Sequence, residues 1–144
     1  MKKFIILIPL YNDWKSVSKL LNEIDVQINN WEAEVSIFLV NDASTEERSS
    51  LDSNYKKIKS VKILNMKENR VHQRCIAAGL KYISKNEKFD HVIIINDAST
   101  EQRSGLDSKY INIKLVKIIN MKENRVHQRC IAAGLKYIFE KEDF

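Results

Sequence analysis

Glycine and proline are nearly missing from this sequence, with three glycines and one proline in 144 residues. Turns that need left-handed backbone must therefore come from Asn, Asp and Ser, which tolerate it or bond back to their own chain. The scarcity also excludes a glycine-rich phosphate loop: neither G-x-G-x-x-G nor G-x-x-x-x-G-K-[ST] occurs. Long hydrophobic runs are missing too. The longest, FIILIPL at 4–10, is far too short to span a bilayer and contains Pro9. Met1-Lys2-Lys3 before it has the shape of a signal-peptide start, but Tyr11-Asn12-Asp13-Trp14 follows where a small-residue cleavage site belongs, so a cytoplasmic protein is expected. The two cysteines, Cys75 and Cys130, sit among helix formers at equivalent points of a repeat, which suits small buried residues better than a disulfide. Aromatic residues make up 8% and do not cluster with Lys and Arg. With no helix-turn-helix or zinc spacing either, nucleic acid is not an expected partner.

What is present is the composition of a soluble globular domain, 44% apolar and 30% charged, at a length that suits one domain with a real core. The net charge of +5 is unevenly placed: the first 35 residues are slightly acidic, and residues 36–90 and 91–144 hold the excess of Lys and Arg. Such a balance is compatible with phosphate-bearing ligands, anionic membrane surfaces or nucleic acid, although a solvated lysine face is its commoner cause.

The sequence also repeats itself. NMKENRVHQRCIAAGLKYI stands at 65–83 and, unchanged, at 120–138; laid over 91–144 without a gap, residues 36–89 match at 38 of 54 positions. Helical arrays need at least three copies of a shorter unit, so a duplicated supersecondary block is the reading. Residues 1–144 are read as one domain containing the tandem copies 36–90 and 91–144.

Within that frame the periodicity alternates between strand and helix. KFIILIPL (3–10) is continuously apolar, as a strand covered on both faces should be. Val17, Leu20, Leu21, Ile24 and Ile28 recur at helical spacing after Asp13, an expected N-cap. EVSIFLV (34–40) predicts a strand, residues 46–57 a short helix, VKILN (61–65) a strand and 71–84 a helix whose Ala77-Ala78-Gly79 allows close approach to a sheet. HVIIIN (91–96) and LVKIIN (115–120) replay the strands, and 126–138 replays the helix. The expected fold is a Rossmann-like three-layer α/β/α sandwich with a mainly parallel sheet in the order 3-2-1-4-5, one copy on each side of the first strand.

FIILIPLYND, a strand running into VNDAST, and then HQRCIAAGL together resemble the N-terminal half of family 2 glycosyltransferases, the inverting GT-A type. The closest branch is that of the polyprenyl-phosphate sugar transferases, similar to dolichyl-phosphate-mannose synthase. The resemblance covers residues 3–95. It implies that Pro9, Tyr11 and Asn12, Asp42 and Ser44, and Asn69 and His72 border the nucleotide of a UDP- or GDP-sugar. It also implies a polyprenyl-phosphate acceptor and a Mg or Mn ion on the donor diphosphate. Read alone, Tyr11-Asn12-Asp13 and Asn41-Asp42-Ala43-Ser44-Thr45 are helix-capping turns, and His72 is a polar residue of a first helical turn. Two features depart from the family. Val71 stands where it has glycine, and Asn96-Asp97-Ala98-Ser99-Thr100 replaces its D-x-D motif, leaving Asp97 as the one candidate metal ligand. No residue can be named as catalytic base, since the family's acceptor half has no counterpart in this sequence. The expectation is a transferase-derived protein, weakly active or inactive, or else a non-enzymatic duplicated fragment that self-associates as a homo-oligomer or binds a partner.

Overall fold

The computed structural model describes residues 1–52, 54–70, 72–96 and 116–120, without the side chains of His72, Gln73, Asn96 and 116–120. The predicted helix over 126–138 lies outside the described residues. The elements are β1 (Lys2–Leu10), α1 (Trp14–Gln27) with a 3₁₀ turn at Ile28–Asn30, β2 (Ala33–Asn41), β3 (Ile58–Asn65), α2 (His72–Asn86), β4 (His91–Asn96) and β5 (Val116–Asn120). Every strand pair among the described residues is parallel, and the strands lie side by side as β3-β2-β1-β4-β5. An α/β fold on a parallel sheet is thus what the alternating pattern specifies.

Both faces of the sheet are apolar, and period-two alternation assigns each side chain to one of them. Phe4, Ile6, Ile8 and Leu10 of β1 join Val35, Ile37 and Leu39 of β2 beneath Trp14, Val17, Leu20, Leu21 and Ile24 of α1. Ile5 and Leu7, with Phe38 and Val40, pack on the other side against Cys75, Ile76, Leu80 and Ile83 of α2. Ile6, Leu7, Ile37 and Leu39 have no accessible surface. Burying each such side chain contributes about 1.5–3 kcal/mol relative to leaving it exposed. Pro9 is tolerated inside β1 because the ladder to β4 runs only from Phe4 to Leu7, so its missing N–H falls beyond that pairing.

The duplication is visible in the register. Ser36 pairs with Ser60 and Ile94 with Ile118, so each copy builds a strand pair at the same separation of 24 residues. The copies nevertheless present opposite faces. Ile6 pairs with Ile37 on one side and with Ile93 on the other, whereas the duplicate of Ile37 is Val92. That one-residue shift in a period-two strand turns every side chain over, and accordingly Ile37 lies in the α1-side core and Val92 in the α2-side core. The physical cause is handedness: right-handed crossovers to opposite flanks of β1 run over opposite faces of the sheet.

Two local expectations are corrected. Residues 46–57 form no helix among those described. Ser49, Ser50, Asp52 and Asn54 compete with helical bonding locally, as when the Asn54 N–H donates to Asp52 Oδ1 at 3.1 Å. Leu51 and Tyr55 instead pack as isolated anchors on the α1-side core. The segment is then caught by Asp25 of α1, whose carboxylate accepts the N–H groups of Lys56, Lys57 and Ile58, each at 2.8 Å. This capture starts β3 three residues earlier than its apolar pattern suggested, with an irregularity between Val35 and Ser36. The second correction is at Asp13. It occupies the N-cap position of α1, but its side chain makes no capping bond; only its carbonyl accepts, from Val17 N–H at 3.1 Å.

Candidate functional site

The carboxyl ends of parallel strands are where an open α/β sheet leaves a crevice between diverging connections. Here the ends of β1 and β2 are joined by side chains. Asn12, just past β1, accepts the N–H groups of Thr45 (2.8 Å) and Glu46 (3.1 Å) at Oδ1 and donates from Nδ2 to Thr45 Oγ1 at 3.0 Å. Its own N–H donates to Ser44 Oγ at 2.9 Å. Four bonds therefore hold the loop after β2 on the loop after β1.

Both loops carry unusual backbone for this purpose. Asn12 has φ 52° and Ala43 φ 54°, the two non-glycine residues with positive φ among those described. Asparagine enters this region readily; alanine does so at a cost of about 1 kcal/mol or more. The two positive-φ positions among the described residues thus lie in the two loops joined at the edge where the sequence motifs lie. Strain of this kind concentrates at functional sites.

Asn41 closes the second layer. Its Oδ1 accepts Ser44 N–H at 3.1 Å and the Ser44 hydroxyl at 2.5 Å, while its Nδ2 donates to Asn65 Oδ1 at 2.9 Å at the end of β3. Neither Asn41 nor Asn65 is among the site residues expected from the motifs, although the sequence carries a signal: β2, β3, β4 and β5 all end in asparagine.

Asp42 occupies a different environment from the one its motif suggested. It is 2% exposed. Its backbone N–H donates to Leu10 O at 2.9 Å, and its Oδ1 accepts Arg70 N–H at 2.8 Å in the loop entering α2. The buried thiol of Cys75 bonds to the same carboxylate. Burial first, then that bond and the negative charge of Asp42, push the thiol up to about 12. Asp42 therefore ties β2 to the start of α2, and the groups left facing solvent lie around it.

The remaining predicted residues fall as follows. Pro9 is buried within β1 opposite Val40. Tyr11 is 42% exposed just past the end of β1, and an exposed aromatic ring can receive a planar group. Ser44 is half-buried within the Asn12–Asn41 network. Asn69 is exposed in the loop before α2, and His72 is the first residue of that helix. Arg70 pairs with Glu68, and Arg48 lies 6.0 Å from the Trp14 ring centroid, so two guanidinium groups also border this edge. Asp97 lies outside the described residues, and among the described residues no group of three or more His, Cys, Asp or Glu could hold a metal ion. No helix among the described residues is long and apolar enough to cross a membrane.

Chemically, the edge offers an exposed aromatic ring, rigidly held amide and hydroxyl groups and nearby cations. Among the described residues it offers no aligned nucleophile–base pair. Comparison with known protein families and with curated proteins finds no match to this chain.

Proposed function

We propose that the chain is a glycosyltransferase-like protein derived from the nucleotide-binding half of a family 2 transferase, and that it binds a UDP- or GDP-type nucleotide-sugar at the carboxyl ends of β1 and β2. On this reading the sheet is the doubly wound 3-2-1-4-5 arrangement of a Rossmann-like three-layer sandwich, and the crevice lies where the strand order reverses beside β1. The observation that carries the proposal is the pinning of the 41–46 loop by Asn12, with left-handed backbone at Asn12 and Ala43. Tyr11 would take the base, and the Ser44–Thr45 loop the ribose or phosphate oxygens. Asp42 would act from beneath, by holding the loop before α2 where Asn69 and His72 can meet an anion at the helix start. On this reading transfer to a polyprenyl-phosphate acceptor is weak or absent, and no residue among those described is assigned as its base. A Mg or Mn ion would depend on Asp97 and the ligand's own phosphates.

Calorimetric titration of UDP, GDP and their sugars, with and without manganese, tests this. Tyr11→Ala is the informative variant, because its exposed side chain can be removed without loss of fold. Saturable binding lost in Tyr11→Ala supports the site; no binding at millimolar nucleotide overturns it. The second reading, self-association of a duplicated fragment, is favoured by the equal 24-residue register of the two copies: each copy's strand pair has a twin that could replace it in a neighbour. A monomeric mass across concentration in light scattering overturns that reading.

A further inference from the structure

The opposite edge of the sheet carries a second concave feature. On the α2 side, period-two positions that are apolar near the carboxyl ends (Leu7, Phe38, Val40, Leu64) become polar toward the amino ends, where α2 has already terminated at Asn86. Ser36 and Ser60 form the floor, with Ser60 Oγ donating to Ser36 Oγ at 3.1 Å. The Ser36 hydroxyl hydrogen is then left to donate elsewhere. Two ion pairs brace the rims: Lys59 Nζ to Glu34 at 2.5 Å, and Lys62 Nζ to Glu87 at 2.6 Å. They enclose a cavity of about 240 Å³, whose lining also includes Lys3 and Lys88.

The charge count within this cavity is decisive. Four lysines face two glutamates, and the glutamates are matched to Lys59 and Lys62, so the surplus belongs to Lys3 and Lys88. The surplus is felt inside. The Lys59 bond holds the Glu34 carboxyl below its ordinary range against the opposing effect of burial, and the charges of Lys59, Lys3 and the N-terminus add to it. Hydroxyl and ammonium donors converge on a space larger than a water molecule, and both carboxylates are already engaged. Only an acceptor-rich, negatively charged guest complements such a lining.

We propose that this cavity, at the amino-terminal edge of β1, β2 and β3, binds a compact phosphate-type polyanion, held by Lys3 and Lys88 with the Ser36 hydroxyl beneath. It is separate from the nucleotide crevice, which lies at the other end of the same strands, and does not depend on that assignment.

Pyrophosphate and inorganic phosphate titrated into the full chain, followed by calorimetry at constant ionic strength, provide the test. One saturable site is expected, tighter for pyrophosphate, weakened by about tenfold or more in Lys3→Ala/Lys88→Ala. The reference is Lys15→Ala/Lys19→Ala, which removes the same net charge from the exposed side of α1 and should leave affinity unchanged. Tyr11→Ala should also leave it unchanged, which separates this site from the nucleotide crevice. All four lysines are exposed, so thermal unfolding of each variant should match the parent and exclude loss of fold. Absence of saturation, or equal weakening in both lysine pairs, overturns the proposal, because either outcome reduces the effect to general attraction by a basic protein.

Discussion

Gly79 of α2 lies so close to Leu7 of β1 that a β-carbon on it would stand 2.5 Å from Leu7 Cδ1, and 2.8 Å from Val40 Cγ2 on the neighbouring strand. The helix is seated on the sheet at this point with only a hydrogen atom between them. Gly79→Ala is therefore expected to destabilise the protein, although alanine favours helix by about 1 kcal/mol. Leu7 and Val40 are completely buried and cannot swing aside. Overpacking of about 1–3 kcal/mol should outweigh the propensity gain, for a net loss of up to about 2 kcal/mol. The readout is a lower urea midpoint at unchanged slope; a midpoint at or above that of the parent would show that α2 can lift off the sheet without cost.

Asp25 supports the irregular connection between β2 and β3 by accepting three consecutive backbone N–H groups. Burial alone would raise its pKa, but the bonds from Lys56, Ile58 and Lys57, with the charge of Lys56, outweigh that and set it below the ordinary 3.8. A carboxyl with a depressed folded-state pKa contributes stability that is present above its unfolded value and lost as pH falls through the folded one. Asp25→Ala should cost about 1–3 kcal/mol at neutral pH, by leaving those donors unpaired, and should flatten the acid limb of the stability curve below about pH 4. An unchanged acid limb in urea melts of the variant would assign that limb to other carboxylates.

These two residues mark where the sequence is legible. Gly79 is legible because close helix-to-sheet packing is a local demand, written as Ala77-Ala78-Gly79 within one turn. The strands are legible for the same reason, each an uninterrupted apolar run. Asp25 is not, because its partners lie more than thirty residues ahead and no periodicity in α1 announces them. The same gap explains the helix expected at 46–57, where a weak local pattern yields to a distant carboxylate and two apolar anchors. At the candidate site, Asn12, Asp42 and Ser44 are identifiable from their motifs, and the structure brings them to one sheet edge. Their division of labour is not identifiable from sequence. Whether Asp42 faces a ligand or Arg70 N–H depends on the path of a loop 28 residues away.

His91 introduces a second acid-sensitive group, at the start of β4. It is 6% exposed and stacked on Phe4 with ring centroids 4.8 Å apart. Burial, then the charge of Lys2, lowers its pKa from 6.5, and Asp90 opposes the shift. For a base held neutral by the fold, the unfolded chain binds the proton more readily. Stability is therefore complete above the unfolded value and declines as pH falls below 6.5 toward the folded pKa. The urea midpoint should drop between about pH 7.5 and about pH 5.5, and His91→Phe should remove most of that drop. An equal drop in His91→Phe would exclude this histidine as its source.

Cys75 offers the most direct probe of how α2 is anchored at the candidate site. Its thiol has no accessible surface and bonds to Asp42, with burial as the larger cause of its raised pKa of about 12. Since the thiolate is the reactive form, iodoacetamide should not modify it in the folded protein near pH 8. On a Cys130→Ser background, which removes the duplicate thiol, labelling should proceed only through opening of the chain and should track the unfolding equilibrium across urea. Asp42→Asn should accelerate labelling only as far as it lowers stability, because burial persists when the charge is gone. Asp42→Ala should accelerate it further, since Arg70 N–H then loses its acceptor and the lead into α2 loosens. Rapid labelling of the folded parent protein would mean that α2 opens independently of the sheet. In that case the Asp42–Arg70 bond could not position the loop before the helix for any ligand.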